Sequence, residues 1–224
     1  MVRNPERPQP PRDCPRCPRL VAFREEARRR HRDWWNAPVP SFGDPAARLL
    51  VVGLAPGFAG ANRTGRPFTG DWAGELLYPT LQRHGFARGT YRARPDDGFE
   101  LVDCRVTNAV RCVPPRNRPT TEEVANCRVF LEPELVVPPQ PVVVLALGRV
   151  AWEAVLRVFG HSPTKNGFAH GAACPLDGRT VLVGSYHTSR YNLNTGRLTP
   201  EMFDAVVARC RALVDAHAPS PAGS

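Results

Sequence analysis

Four short apolar runs alternate along the chain with segments of helical spacing, and this alternation restricts the fold more than any other feature. RLLVVGLA (Arg48 to Ala55), LVDCRVTNAV (Leu101 to Val110), PVVVLALG (Pro141 to Gly148) and TVLVGSY (Thr180 to Tyr186) are mostly apolar on both faces, as strands of a covered parallel sheet must be. Helices fit around them at Leu20 to Arg30, Gly74 to His84, Thr121 to Leu135, Arg149 to Phe159 and Pro200 to His217. Two helix starts are well marked. Thr120 with Glu123 makes a capping box, and Thr199 followed by Pro200 makes an N-cap with proline at the first helical position. The pattern predicts a three-layer α/β/α fold with a mainly parallel central sheet. Ligands of such sheets sit beyond the carboxyl ends of the strands. Three unusual loops follow strand ends here: Gly53 to Asp71, Cys112 to Thr120 and His187 to Arg197.

The 224 residues fit one domain, expected over residues 13 to 216. Residues 1 to 12 and 217 to 224 are rich in Pro, Arg, Ser or Ala without apolar periodicity, so both ends are expected to be disordered. No run of 18 apolar residues occurs, and MVRNPERPQPPR has no apolar signal core, which argues against a membrane span or secretory signal and for the cytoplasm. The net charge of +9 suits a polyanion such as nucleic acid. Its weight is reduced by the composition: Lys165 is the single lysine among many arginines, and GC-rich coding alone produces that bias.

Seven cysteines in a reducing compartment point to metal ligation or buried thiols rather than disulfides. Cys104 falls in a strand, Cys210 on the apolar stripe of a helix and Cys174 in a loop, positions that ordinary small apolar residues occupy. The other four differ. Cys14 and Cys17 form a CPRC pair, and Cys112 and Cys127 follow with fourteen residues between them. Four thiolates suit a tetrahedral zinc or a [4Fe–4S] cluster. One tight pair with two distant ligands favours iron–sulfur over a zinc ribbon, which has two tight knuckles. Either group would staple the N-terminal helix to the loop before the capping box.

The loop GLAPGFAGANRTGRPFTGD (Gly53 to Asp71) contains neither a P-loop nor a dinucleotide fingerprint. Its glycines let backbone N–H groups approach a ligand, and Phe68, between Pro67 and Thr69, is placed to stack on a planar base; a turn packed on a core Phe explains the same composition. SYHTSRYNLNTGRLT (Ser185 to Thr199) begins with His187 near a strand end and continues with the polar residues that grip a phosphate backbone.

Together CPRC at 14 to 17, GLAPG with NRTGRPFTGD at 53 to 71, VTNAVRCVPPRNRPT at 106 to 120 and SYHTSRYNLNTGRLT at 185 to 199 resemble the uracil-DNA glycosylase superfamily, specifically its type-5 iron–sulfur branch. The resemblance covers Cys14 to about Leu213. It implies a monomeric repair enzyme that flips uracil, hypoxanthine or other deaminated bases out of double-stranded DNA and hydrolyses the N-glycosidic bond. It also implies that Cys14, Cys17, Cys112 and Cys127 are cluster ligands, that Phe68 stacks on the flipped base, and that His187 is the histidine of the second catalytic motif. Asn117 matches an active-site asparagine of the branch, and Asn108 a base-reading asparagine of the neighbouring type-4 branch. Many superfamily members carry Asp, Asn or Glu in or just after the first motif, where this chain has Leu54, Ala55, Phe58 and Ala59. The less polar motif fits the broad-specificity branch, and it leaves Asp71 as the nearest carboxylate to position water. Backbone N–H groups of the stretch containing Gly53, Ala55 and Gly57 are expected to join His187 in stabilising the leaving base. Arg190 and Arg197 are candidate phosphate contacts, and Tyr191 or Leu193 a candidate wedge. A non-catalytic four-cysteine module that binds nucleic acid is the alternative.

Overall fold

All four apolar runs supply a five-residue strand to one sheet, and period-two alternation sends their side chains into two separate cores. In the computed structural model, which describes residues 7–217, the chain runs through helix α1 (Pro18–Arg30), strands β1 (Phe42–Gly43) and β2 (Leu49–Gly53), and helices α2 (Ala61–Thr64) and α3 (Trp72–Arg83). Strands β3 (Ala87–Arg88), β4 (Glu100–Leu101) and β5 (Cys104–Asn108), a 3-10 turn (Pro115–Asn117) and helix α4 (Thr121–Val136) follow. The chain continues with β6 (Val143–Leu147), α5 (Arg149–Val158), β7 (Ala173–Pro175), β8 (Val181–Ser185), α6 (Arg190–Asn194) and α7 (Pro200–Ala216).

The main sheet has the order β1-β5-β2-β6-β8-β7; β5, β2, β6 and β8 are mutually parallel, and β1 and β7 run antiparallel at the edges. Leu49 and Val51 of β2 face a core built with Leu77 and Leu81 of α3 and Phe203 and Val207 of α7. Leu50 and Val52 face the opposite core, built with Leu20 of α1, Leu131 and Leu135 of α4, and Trp152 and Val155 of α5. This is the three-layer α/β/α arrangement with a mainly parallel sheet that the sequence predicts.

The boundaries moved where a side chain intervenes. The second run, expected as one strand from Leu101 to Val110, is divided at Asp103, which has φ of 49° and accepts hydrogen bonds from the Arg48 backbone N–H at 2.9 Å and its Nε at 2.8 Å. Glu100–Leu101 therefore pairs with Ala87–Arg88 in a separate ribbon. Helix α3 begins two residues before the expected Gly74 because Asp71 caps it, accepting from the Ala73 N–H at 3.1 Å. The capping box of Thr120 and Glu123 and the Thr199 cap both form. Cys174, expected in a loop, is buried in edge strand β7.

The N-terminal stretch is a correction. Residues 7 to 12 were expected to belong to a loose end, yet Arg7 is buried and donates to the carbonyls of Pro133 at 2.7 Å and Pro139 at 2.6 Å. Gln9 donates to Glu134 at 3.1 Å and accepts from the Ser41 N–H at 2.9 Å. Composition suggests an unpacked tail, but here arginine and glutamine find buried partners. Residues 1 to 6 and 218 to 224 lie outside the described residues.

Glu134 is the hub of this region. Arg105 reaches it through Nε at 2.7 Å and Nη2 at 3.1 Å, Arg111 through Nη2 at 3.3 Å, and the Ser41 hydroxyl donates at 2.6 Å. Burial pushes the carboxyl up, but the Arg105 hydrogen bonds and the charges of Arg105 and Arg111 outweigh it and hold the group at about 2. Because the folded value lies below the unfolded value of about 4.5, the stabilisation is fully present above pH 4.5 and is lost as pH falls through about 2. Glu134→Gln leaves buried guanidinium groups uncompensated and is expected to cost about 3–5 kcal/mol in chemical denaturation and to flatten the acid limb of the stability curve. A variant as stable as the parent at neutral pH overturns the assignment.

Candidate active site

The loop after β2 is pinned by one buried arginine. Arg66 makes two 2.8 Å bonds to Asp97 and a 2.8 Å bond from Nε to the Thr69 hydroxyl. Its guanidinium lies 5.2 Å from the centre of the Phe42 ring and 5.8 Å from those of Tyr78 and Tyr91. Burial raises Asp97, but the Arg66 hydrogen bonds and the backbone N–H groups of Arg92 and Phe99 outweigh it and hold its carboxyl well below the usual carboxylate range. Between Arg66 and Thr69 sits Phe68, held at φ of 50° with its carbonyl accepting from the Tyr91 hydroxyl at 3.1 Å. Such a backbone costs on the order of 1–3 kcal/mol and persists only where its surroundings over-determine it.

Phe68 forms one wall of a cavity of about 460 Å³ at the carboxyl ends of β2, β5 and β8, within the range of roughly 300–1,000 Å³ typical of small-ligand sites. Asn108 at the end of β5 is buried beside it, and its side-chain oxygen has no hydrogen-bond partner. Position 53 must be glycine for this packing: a Cβ there would lie 2.4 Å from both the Phe68 ring and the Asn108 oxygen. His187, two residues beyond β8, stacks on Phe68 with ring centres 5.9 Å apart, while its carbonyl accepts from Asn192 Nδ2 at 2.8 Å. Burial pushes the imidazole down to about 4. At neutral pH the ring is therefore an uncharged donor.

Asp71 and Asn117 complete the polar lining. One Asp71 oxygen caps α3, and the other faces Gly57 so closely that a Cβ there would sit 2.8 Å away. Burial raises the Asp71 carboxyl against the pull of the Ala73 and Gly74 N–H groups. Asn117 reaches the mouth on the 3-10 turn, where it and Arg116 both have φ of 55°. Two consecutive left-handed residues aim a short amide over the cavity at a cost in backbone strain.

Eight of the predicted residues thus line one space: Ala55, Gly57, Phe68, Asp71, Asn108 and Asn117, with His187 and Arg190. Gly53 stands behind Phe68 and Asn108 instead of in the lining, and its carbonyl accepts from the Ala109 N–H at 2.9 Å. Leu193 is a correction to the candidate wedge: α6 turns it inward against the core, whereas Tyr191 is 70% exposed. Arg197 lies away from the cavity, with its guanidinium 4.7 Å from the centre of the Tyr186 ring. The sequence reading missed Trp72 and Ser189 in the lining and the pair Arg66–Asp97 behind it. Trp72 directly follows the flagged Asp71. The Arg66–Asp97 contact spans thirty-one positions and carries no local signal.

Cys14, Cys17, Cys112 and Cys127 ring a second, smaller cavity with Arg24 and Phe130. All seven cysteines are free. The Arg111 N–H donates to Cys127 Sγ at 3.3 Å, and Arg24 donates twice to the Cys14 carbonyl at 3.3 Å. Burial raises the thiols of Cys17 and Cys127 and pushes Cys112 up to about 12. Among the described residues no group of three or more His, Cys, Asp or Glu is arranged to hold a single metal ion.

A buried apolar wall, an unpaired amide and a neutral histidine at strand ends define a site for a flat, polar-edged ligand. The model of the Uracil DNA glycosylase superfamily matches residues 40–211, and the chain belongs to that family. Proteins named Type-5 uracil-DNA glycosylase are similar over most of their length: that of Thermus thermophilus is 49% identical over 89% of this chain and 93% of its own, and that of Pyrobaculum aerophilum 46% identical over 89% and 88%. A Type-4 uracil-DNA glycosylase of Pyrobaculum aerophilum is 33% identical over 71% of this chain and 68% of its own.

The burial of His187 has a measurable consequence. Its folded value near 4 lies below the unfolded 6.5, so its contribution to stability is full above pH 6.5 and is lost as pH falls towards 4. Its imidazole resonances are expected to stay fixed between about pH 5.5 and 8 and to move only near 4. A titration centred near 6.5 contradicts this.

Proposed function

We propose that the protein excises uracil, and with it hypoxanthine and xanthine, from double-stranded DNA, acting as a monomer on cytoplasmic DNA and leaving an abasic site. The observation that carries the reading is that Asn108, whose buried side-chain oxygen is unpaired, lines the same cavity as the Phe68 ring and the neutral His187. An unsatisfied buried amide costs about 1–3 kcal/mol, a cost that a hydrogen-bonding ligand removes. A nucleobase supplies both the polar edge for Asn108 and the flat face for Phe68.

Flipping the nucleotide costs a few kcal/mol, less for uracil opposite guanine, and stacking on Phe68 returns roughly 1–3 kcal/mol. As the bond from C1′ to the base nitrogen breaks, the electron pair goes to the base and the sugar becomes cation-like. His187, neutral, donates a hydrogen bond to the base oxygen that gains charge, and backbone N–H groups at Ala55 and Gly57 support it. A water adds to C1′, and its proton neutralises the departing nucleobase anion. Asp71, through the oxygen that faces Gly57, and Asn117 at the mouth are the groups placed to hold that water. Arg190 and Arg197 take phosphates, and Tyr191, 70% exposed, is the candidate wedge. A few polar groups around a stacking wall favour several deaminated bases over strict uracil specificity.

Cys14, Cys17, Cys112 and Cys127 would hold a [4Fe–4S] cluster, with zinc as the alternative. One tight pair with two ligands distant in sequence supports the cluster over a zinc ribbon. The cluster's contribution is a crosslink: it ties the segment before α1 to α4 and to the loop that carries Asn117. No helix among the described residues is long and apolar enough to cross a membrane.

A panel of duplexes carrying each deaminated base tests the reading. Release of uracil from U·G and U·A duplexes is expected, and His187→Ala should lower the single-turnover rate about a hundredfold or more while DNA affinity changes little. Equal rates for parent and variant remove the role of His187. DNA binding without excision would establish the non-catalytic module instead. The same sample should be brown with a broad visible shoulder; colourless, zinc-loaded protein overturns the cluster assignment alone.

A further inference from the structure

The cavity wall accounts for Phe68, but not for the second aromatic of the same loop. Trp72 is 57% exposed, an indole left in water at the mouth of the cavity, whereas Trp152 is fully buried in the core. It occupies the first position of α3, directly after the capping Asp71, and so projects beyond the groups that line the interior. Across the mouth, Arg190 at the start of α6 places its guanidinium 5.0 Å from the centre of the indole. Among the described residues Arg190 has no carboxylate partner and Trp72 no other ring partner. Folding the isolated protein gains from this arrangement only a cation–π contact at an exposed site, while exposure forfeits what burial of the indole would gain. An unpaired guanidinium is a phosphate ligand, and an exposed indole is a stacking surface for a base. Tyr191 is more exposed but stands outside the lining, and Leu193 is packed inward, so neither sits at the opening through which a base must pass.

We propose that Trp72 stacks in the duplex at the position the extruded nucleotide leaves, with Arg190 clamping an adjacent phosphate. This rests on the glycosylase reading and adds the residue that offsets the cost of opening the helix. Stacking returned to the duplex matters in proportion to what extrusion removes from it. Its loss therefore weighs most on a matched pair, less on a mismatch, and least on a strand with no partner.

The test is excision of uracil opposite adenine, opposite guanine and in a single strand, at enzyme concentrations below saturation, by the parent, Trp72→Ala and Trp72→Phe. Trp72→Ala is expected to lower the ratio of U·A to single-strand excision by roughly five- to a hundredfold, the range that loss of one base–aromatic stack gives. U·G should fall between, and Trp72→Phe should recover most of the ratio. Arg190→Gln should lower the salt dependence of duplex binding by about one ion. An unchanged ratio, with all three substrates falling together, would put the indole against the extruded base or in the fold alone and overturn the proposal. So would a failure of Trp72→Phe to restore the ratio while melting like the parent. A parent protein inactive on all three substrates removes the glycosylase reading itself, a result seen before any variant is made.

Discussion

The carboxylate of Glu134 is the contact on which most of the architecture converges. Alone in the interior it would be expensive; surrounded by Arg105 of β5, Arg111 of the following loop, and the Ser41 hydroxyl, it becomes a joint. Arg111 also presents its backbone N–H to Cys127, so a single residue links the joint to the cysteine cavity. Gln9 bonds both Glu134 and Arg111 Nη1, the latter at 3.1 Å. The chain before α1, the sheet edge and α4 are therefore held at one point. The next residue after Arg111 is Cys112, and five positions later comes Asn117, so the strained turn at the cavity mouth is anchored at its base by charge and thiol together.

The loop after β2 has its own joint, built on the same principle. Arg66 and Asp97 neutralise each other inside an aromatic box, and their geometry fixes Phe68 in a conformation it would not choose. Two buried ion pairs thus lie behind the two strained segments that bring Phe68 and Asn117 to the cavity. On the proposed reading, preorganisation of this kind makes the polar groups effective, because they need not move when charge develops on the base.

The sheet was legible because a parallel strand covered on both faces has to be apolar throughout, and four such runs stand out. Helix starts at Thr120 and Thr199 were legible because capping is local chemistry. The edge strands β1 and β7 were not: two or three residues with intermediate or mixed burial give no period to detect. Strand β5 was overextended because nothing in its composition announces that Asp103 will turn back to Arg48. At the site, residues flagged by their loops converged, since the fold rule alone brings strand ends together. What escaped was long-range or misjudged by composition: Arg66 with Asp97, Arg7 with Glu134, and Leu193, whose neighbours in a polar loop hid that it packs inward.

The electrostatics of the cavity bear on how an anionic leaving group could be managed there. A protonated histidine would attract such an anion strongly, but burial beside Phe68 holds the His187 imidazole neutral, and among the described residues no lysine or arginine other than Arg190 lines the space. On the proposed reading, stabilisation comes from neutral donors in a dry pocket, where a hydrogen bond is stronger than in water. This has a consequence for selectivity. A fixed cation would reward any base with charge on one oxygen, whereas neutral donors reward alignment, so the loop that holds Phe68 and the strand that holds Asn108 set both rate and choice. The two properties are then coupled through Gly53, whose missing side chain is the condition for that amide and that ring to lie against each other.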